Sequence, residues 1–94
     1  MGWKELMFRI RFYEDKRGRS QAYEYIASLK KKGSKDARIK LAKIATYLNV
    51  LQEKGTWAGE PFIKHLKGEI WELRPLDDRF MFAAWTGEEF IILH

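Results

Sequence analysis

Hydrophobic and polar residues alternate near the start of the chain, over Leu6–Tyr13. The apolar positions in this segment are Phe8, Ile10 and Phe12, and the positions between them are Arg9 and Arg11. A period of two sends successive side chains to opposite faces of a strand. The pattern therefore predicts a half-buried β-strand, followed by a turn in the charged segment 14–19, which contains Gly18.

Two helical segments follow, each with a serine at its start and a glycine at its end. The first is predicted to begin after Ser20 and run to about Lys32, before Gly33; the second begins after Ser34 and ends at Gly55. The apolar stripe of the first consists of Ala22, Tyr23, Ile26 and Leu29. The stripe of the second recurs in steps of four and three at Ala37, Leu41, Ile44, Leu48 and Leu51. One short link joins the segments, so they are predicted to form an antiparallel helical hairpin.

Three short β segments close the chain, and the first could be entered from residues 62–66. They are Glu69–Arg74, Arg79–Trp85 and Phe90–His94, separated by four-residue loops at 75–78 and 86–89. The order of one strand, two helices and a three-strand meander predicts an α+β fold with the helices on one face of a mainly antiparallel sheet. A chain of 94 residues is too short for two cores, so residues 1–94 are predicted to form one domain.

The loop lengths also predict which side chains share a face of the meander. Glu72 would lie opposite Met81, Arg74 opposite Arg79, and Met81 opposite His94. Glu72, Arg74, Arg79 and His94 then share one face. The other face would carry the apolar set that packs under the helices: Trp71, Leu73, Phe80, Phe82, Ile91 and Leu93.

Charge and composition narrow the class of protein. The net charge is +5, which favours a polyanionic partner, although many small proteins are basic for solubility alone. There is no cysteine, hence no disulfide, thiolate metal site or thiol nucleophile. No apolar run is long enough to cross a bilayer, and the start of the chain lacks a signal-peptide pattern. We expect a cytoplasmic protein.

The shared face has groups suited to cutting RNA. The 2′-hydroxyl of RNA can attack its own phosphate if a base, an acid and cations are in place. Glu72 or His94 could serve as base or acid, and Arg74 and Arg79 could clamp the phosphate. Two arginines facing each other repel, and a bound phosphate would offset that repulsion.

Further candidates for binding RNA are Lys64, His65 and Lys67 before the second strand, and Lys43 on the second helix. Each of these residues has a structural alternative. Arg74 could pair with Glu72 or Asp77, and Arg79 could solvate the turn beside Asp77 and Asp78. His65 could be a surface histidine, His94 could fray as the last residue, and the lysines of the second helix, such as Lys43, could form a solvated face. No phosphate-loop, dinucleotide or zinc-protease motif is present, and we expect no metal or other cofactor.

These residues resemble a known family over nearly the whole chain, from about Leu6 to His94. The string comprises Gly59-Glu60-Pro61, Ile63-Lys64-His65-Leu66, Glu69-Ile70-Trp71-Glu72-Leu73-Arg74-Pro75, Arg79 and Leu93-His94. It is similar to the phage-derived, HigB-like branch of the RelE/ParE toxins. By that match Arg74 and Arg79 would face RNA, and His94 would be the histidine that closes the last strand.

The resemblance implies a toxin of a type II toxin–antitoxin pair. Such a toxin is an endoribonuclease that cleaves mRNA, commonly at the ribosome, without a cofactor, and so inhibits translation. Its partner would be a helix-turn-helix antitoxin of the HigA type, through which alone it would reach operator DNA, and no membrane is involved.

Family members usually continue past this histidine through a Lys/Thr-rich stretch into a last helix, whereas this chain stops at His94. The missing cations put full activity in question. Two other functions stay open: a ParE-like toxin that binds DNA gyrase and cuts nothing, and a truncated, inactive relic that retains antitoxin binding.

Overall fold

A computed structural model describes residues 8–86 and 89–93. In chain order its elements are β1 (Arg9–Phe12), α1 (Gln21–Lys32), α2 (Lys35–Lys54), a short 3-10 helix (Gly55–Ala58), β2 (Ile63–Lys67), β3 (Ile70–Leu73), β4 (Phe80–Thr86) and β5 (Glu89–Ile92). The α+β fold predicted from the sequence is confirmed. The 3-10 helix directly follows α2, which the sequence predicts to end at Gly55.

Serine side chains cap the first turns of both helices, and a glycine ends the first helix. The Ser20 hydroxyl accepts a hydrogen bond from the Tyr23 N–H at 3.1 Å, and the Ser34 hydroxyl accepts one from the Ala37 N–H at 3.2 Å. Each bond satisfies a donor that the first turn of a helix leaves without a partner. Gly33 ends α1 in the left-handed conformation, which glycine adopts without steric cost.

The five strands form one sheet in the order β1-β5-β4-β3-β2. The β2–β3, β3–β4 and β4–β5 pairs are antiparallel, whereas β1 runs parallel to β5. Residues 62–66 were predicted only as a possible entry to the meander. Most of this segment belongs to a separate strand, β2, which lies at one edge of the sheet.

Both helices pack on one face of the sheet and form the core with it. Helix α1 contributes Ala22 and Leu29 to this core. The predicted stripe of α2 is confirmed, because Ala37, Ile44 and Leu51 are buried and Leu41 and Leu48 pack against the core. The sheet contributes the buried side chains of Ile63, Leu73, Phe80, Phe82, Phe90 and Ile92.

The predicted register is correct between β3 and β4 and wrong by one residue between β4 and β5. Glu72 lies opposite Met81 as predicted. A bulge between Ala84 and Thr86 shifts β5, so Ala83 pairs with Ile91. Consequently the core receives Phe90 and Ile92 rather than the predicted Ile91 and Leu93. The Leu93 N–H donates to the Met81 carbonyl, which fills the place predicted for His94; His94 lies outside the described residues.

Candidate functional site

The sheet face away from the helices, here called the outer face, carries more cations than carboxylates. Its cations come from both edges of the sheet and from the β3–β4 connection, and its carboxylates are Glu72 and Glu89. The cations are Arg9, Arg11, Lys64, Lys67, Arg74 and Arg79. Apolar side chains of Ile70, Met81, Ala83 and Ile91 lie between the two edges. A surface with this charge balance attracts a polyanion.

Glu72 lies between two arginines at one end of the outer face. Its Oε1 is 3.4 Å from Nε of Arg74 and 3.8 Å from Nε of Arg79. The Glu72 side chain is 19% exposed, against 31% for Arg74 and 43% for Arg79. Arg74 and Arg79, here called the arginine pair, therefore share one partly buried carboxylate, and the side chains of both remain accessible to solvent.

The Glu72 carboxylate offsets the repulsion between the two arginines. The sequence suggested a bound phosphate for this role and also an ion pair of Arg74 with Glu72, and in the structure Glu72 lies beside both arginines. A phosphate is therefore not required for this arrangement to be stable. One positive charge nevertheless remains on the three groups together, so the arginine pair still attracts an anion.

Arg79 is held in place by the β3–β4 connection. Its Nη1 donates to the Leu76 carbonyl at 3.1 Å and to the Asp78 carbonyl at 2.9 Å. Leu76 has a φ of 55°, a left-handed conformation that residues with a side chain seldom adopt. Such a conformation is kept only where the surroundings fix it, and here it presents a carbonyl to Arg79.

The other predicted contacts divide between the two faces. Lys64 pairs with Glu72 and Lys67 pairs with Ile70, so both lysines lie on the outer face near the arginine pair. His65 pairs with Trp71 on the helix-covered side, where the two rings lie 4.4 Å apart. A 2.7 Å hydrogen bond joins its Nε2 to the Gly68 carbonyl.

Two further candidates do not join the arginine pair. Lys43 is exposed on α2, in the layer that covers the opposite face of the sheet. His94, predicted to share the face of Glu72, lies outside the described residues. Among residues 8–86 and 89–93, no three His, Cys, Asp or Glu side chains lie close enough together to hold a metal ion.

The structure also shows a contact that sequence reasoning missed. The Tyr25 hydroxyl, on α1, donates a 2.7 Å hydrogen bond to Oδ1 of Asp78, the residue before Arg79. Burial raises the pKa of Tyr25 to about 12, with the hydrogen bond to Asp78 and its negative charge adding to the effect. The two residues are 53 positions apart, so no local pattern indicates the contact.

We expect this phenol to make stability depend on pH in the alkaline range. Unfolded Tyr25 loses its proton near pH 10.0, whereas folded Tyr25 keeps it to about pH 12. Because the folded pKa is the higher one, the stabilisation is complete below pH 10 and is lost as the pH rises to 12. Denaturant titrations of wild type and Tyr25→Phe should therefore show a difference in unfolding free energy that changes across this window. Tyr23→Phe, which removes a hydroxyl from an exposed ring, is the control. A Tyr25→Phe curve parallel to wild type from pH 9 to pH 12 would contradict the assignment.

The profile of the family described as Phage derived protein Gp49-like (DUF891) matches residues 24–94, which include α2, the arginine pair and the whole meander. The chain belongs to the Gp49-like family. This is a RelE/ParE-like toxin family of toxin–antitoxin systems. No match was found among curated proteins. Within the described part of this Gp49-like protein, neither helix is long and apolar enough to span a membrane.

Proposed function

We propose that this Gp49-like protein is the toxin of a type II toxin–antitoxin pair, close to the HigB-like branch, and that it inhibits translation by cleaving mRNA. One observation carries the proposal: Arg74 and Arg79 lie on either side of Glu72 on an exposed, cationic sheet face. A cation pair beside a carboxylate combines phosphate binding with proton transfer at one point.

In the proposed reaction the 2′-oxygen attacks the neighbouring phosphorus and the 5′-oxygen of the next nucleotide leaves. Glu72 accepts the proton of the 2′-hydroxyl, and Arg74 and Arg79 stabilise the charge that develops on the phosphate oxygens. A phosphate competes with Glu72 for the same guanidinium groups. Binding of RNA would therefore weaken the hold of the arginines on Glu72 and leave its carboxylate available as the base. With Glu72 as the base, His94 is the proposed donor to the leaving oxygen.

The rest of the outer face would bind the RNA backbone. Lys64 and Lys67 lie along one edge strand, and Arg9 and Arg11 lie along the other. Arg11 already has a carboxylate partner in Glu89 at 3.4 Å, so it is the weakest of these four candidates. Contacts of this kind give affinity without reading sequence, and they weaken as the salt concentration rises. His65 and Lys43 lie away from this face and would contact RNA only if it extends around the edge of the sheet.

The proposed partner is a helix-turn-helix antitoxin of the HigA type, whose binding would block the toxin and link it to operator DNA. The ribosome would present the mRNA. Membership of a toxin–antitoxin family supports an antitoxin partner.

The test is cleavage of a synthetic RNA and of ribosome-bound mRNA by the purified chain. Attack by the 2′-hydroxyl predicts products with a 2′,3′-cyclic phosphate and a 5′-hydroxyl. A single 2′-deoxy substitution at the mapped cleavage position should abolish cutting there and leave other positions unaffected. Arg79→Ala should lose cleavage, whereas Arg38→Ala, which removes an exposed arginine from α2, should cleave normally.

Two results would overturn the proposal. DNA damage with intact messages after induction would indicate a gyrase-binding toxin. Intact messages and intact DNA, together with retained antitoxin binding, would indicate an inactive relic.

A further inference from the structure

A hydrogen bond between helix α1 and the β3–β4 connection lies next to the arginine pair. Tyr25 extends from α1 toward the β3–β4 connection, and its hydroxyl donates to Oδ1 of Asp78 at 2.7 Å. Its ring also packs near the ring of Phe80, with centroids 6.1 Å apart. Asp78 and Phe80 are the two neighbours of Arg79 in the chain, so Tyr25 contacts the side chains on both sides of Arg79.

The Asp78 carboxylate depends on this one contact. Among the described residues nothing donates to its other oxygen, Oδ2, which is buried. A partly buried carboxylate with one side-chain hydrogen bond loses most of its compensation if that bond is removed. Asp78 should then turn toward solvent, and the backbone that it belongs to should move with it.

That movement would reach Arg79 directly. The guanidinium of Arg79 donates to the carbonyl of Asp78 at 2.9 Å and to that of Leu76 at 3.1 Å. The N–H of Asp78 donates to the Pro75 carbonyl at 3.0 Å and so closes the turn. A shift of Asp78 therefore displaces a hydrogen-bond acceptor of Arg79 and changes its distance from Glu72, now 3.8 Å.

We propose that Tyr25 and Asp78 are positioning residues that hold Arg79 in place for binding a phosphodiester, although neither touches the phosphate. This inference rests on the proposed function for the role of Arg79, but the contact itself can be tested without it. The position of a catalytic cation matters because a displacement of about 1 Å can lower a rate about a hundredfold.

The first measurement needs no substrate. NMR relaxation of the Arg79 Nε–H group in the free protein should show a rigid side chain in wild type and a mobile one in Tyr25→Phe and Asp78→Ala. Asp78→Asn keeps the side-chain oxygen that accepts from Tyr25, so its Arg79 should stay rigid. Tyr23→Phe is the matched control, because Tyr23 is on the same helix with an exposed ring. An Arg79 that is equally rigid in Tyr25→Phe and wild type would overturn the inference, whatever the protein does to RNA.

The second measurement is RNA cleavage well below the melting temperature of every variant. Tyr25→Phe and Asp78→Ala should cleave about ten- to a hundredfold more slowly than wild type, and Asp78→Asn should recover most of the rate. A purely structural contact would instead lower the melting temperature of Tyr25→Phe and leave its cleavage rate unchanged, which would refute the positioning role. If wild type cleaves nothing while Arg79 loosens as expected, the contact stands and the proposed nuclease function fails.

Discussion

Arg74→Ala should lower the rate of RNA cleavage about a hundred- to a thousandfold and leave the protein folded. Loss of one preorganised donor to a developing negative charge has an effect of this size. Stability should change little, because a partly exposed ion pair contributes about 1 kcal/mol or less. Glu72 also keeps Arg79 as an ion-pair partner 3.8 Å away. Cleavage assays and thermal melts on the same preparation give both quantities.

Two variants sharpen the test of Arg74. Arg74→Lys keeps the charge but loses the planar pair of donors, so its rate should fall between those of wild type and Arg74→Ala. Arg38→Ala removes an exposed arginine from α2 and should match wild type in both assays. If Arg74→Ala unfolds, Arg74 serves the fold. If it folds and cleaves at the wild-type rate, Arg74 does not serve the reaction.

Gly55→Ala should be the most damaging single methyl addition among the glycines that the structure describes. Gly55 ends α2 with a φ of 58° and a ψ of −144°, a conformation that is strained for any residue with a side chain. An added Cβ would lie 2.7 Å from Cε2 of Phe8, whose ring already packs on Phe90 at 5.0 Å. Backbone strain and overpacking each cost about 1–3 kcal/mol, so the free energy of unfolding should fall by about 2–6 kcal/mol.

Gly33→Ala measures the cost of backbone strain without the cost of overpacking. Gly33 ends α1 with a φ of 66°, and among the described residues no atom lies within 4 Å of the position that its Cβ would occupy. Only the strain of the left-handed conformation applies, about 1–2 kcal/mol. Denaturant melts of the two variants should therefore differ by at least the cost of displacing Phe8. Equal losses would show that Phe8 moves aside freely.

The helical half of the fold could be predicted because its signals are local. Ser20 and Ser34 bond to N–H groups three residues ahead, and Gly33 and Gly55 take backbone conformations that other residues avoid. The apolar stripe of α2 packs in the core, and its helical spacing can be recognised without knowing the strand order. None of these features depends on which strand neighbours which.

The sheet was harder to predict because pairing joins distant residues. The four-residue loop at 75–78 fixed the β3–β4 register correctly. The same argument failed for β5, since one extra residue in the bulge near Trp85 moves Phe90 and Ile92 into the core. Strand β2 shows no alternation of burial, because residues 64–67 are all exposed, and the parallel neighbour of β1 has no signal in the sequence.

The part of the candidate site that lies around the β3–β4 hairpin could be predicted from the sequence, and the contacts outside that hairpin could not. Glu72, Arg74 and Arg79 come together because they surround the β3–β4 loop. His65 was grouped with them because it is near in sequence, yet strand alternation places it beside Trp71 on the other face. The contact of Tyr25 with Asp78 requires the tertiary packing of α1, which residue patterns do not specify.

The parallel pairing of residues 9–12 with residues 89–92 has a consequence during biosynthesis. Strand β1 is synthesised long before its neighbour β5, so a nascent chain cannot assemble the native strand order until residue 92 has left the exit tunnel. At about 5–20 residues per second, the wait lasts several seconds. Under the proposed function, this delay keeps the toxin unassembled, and therefore inactive, while its own ribosome is still translating β5.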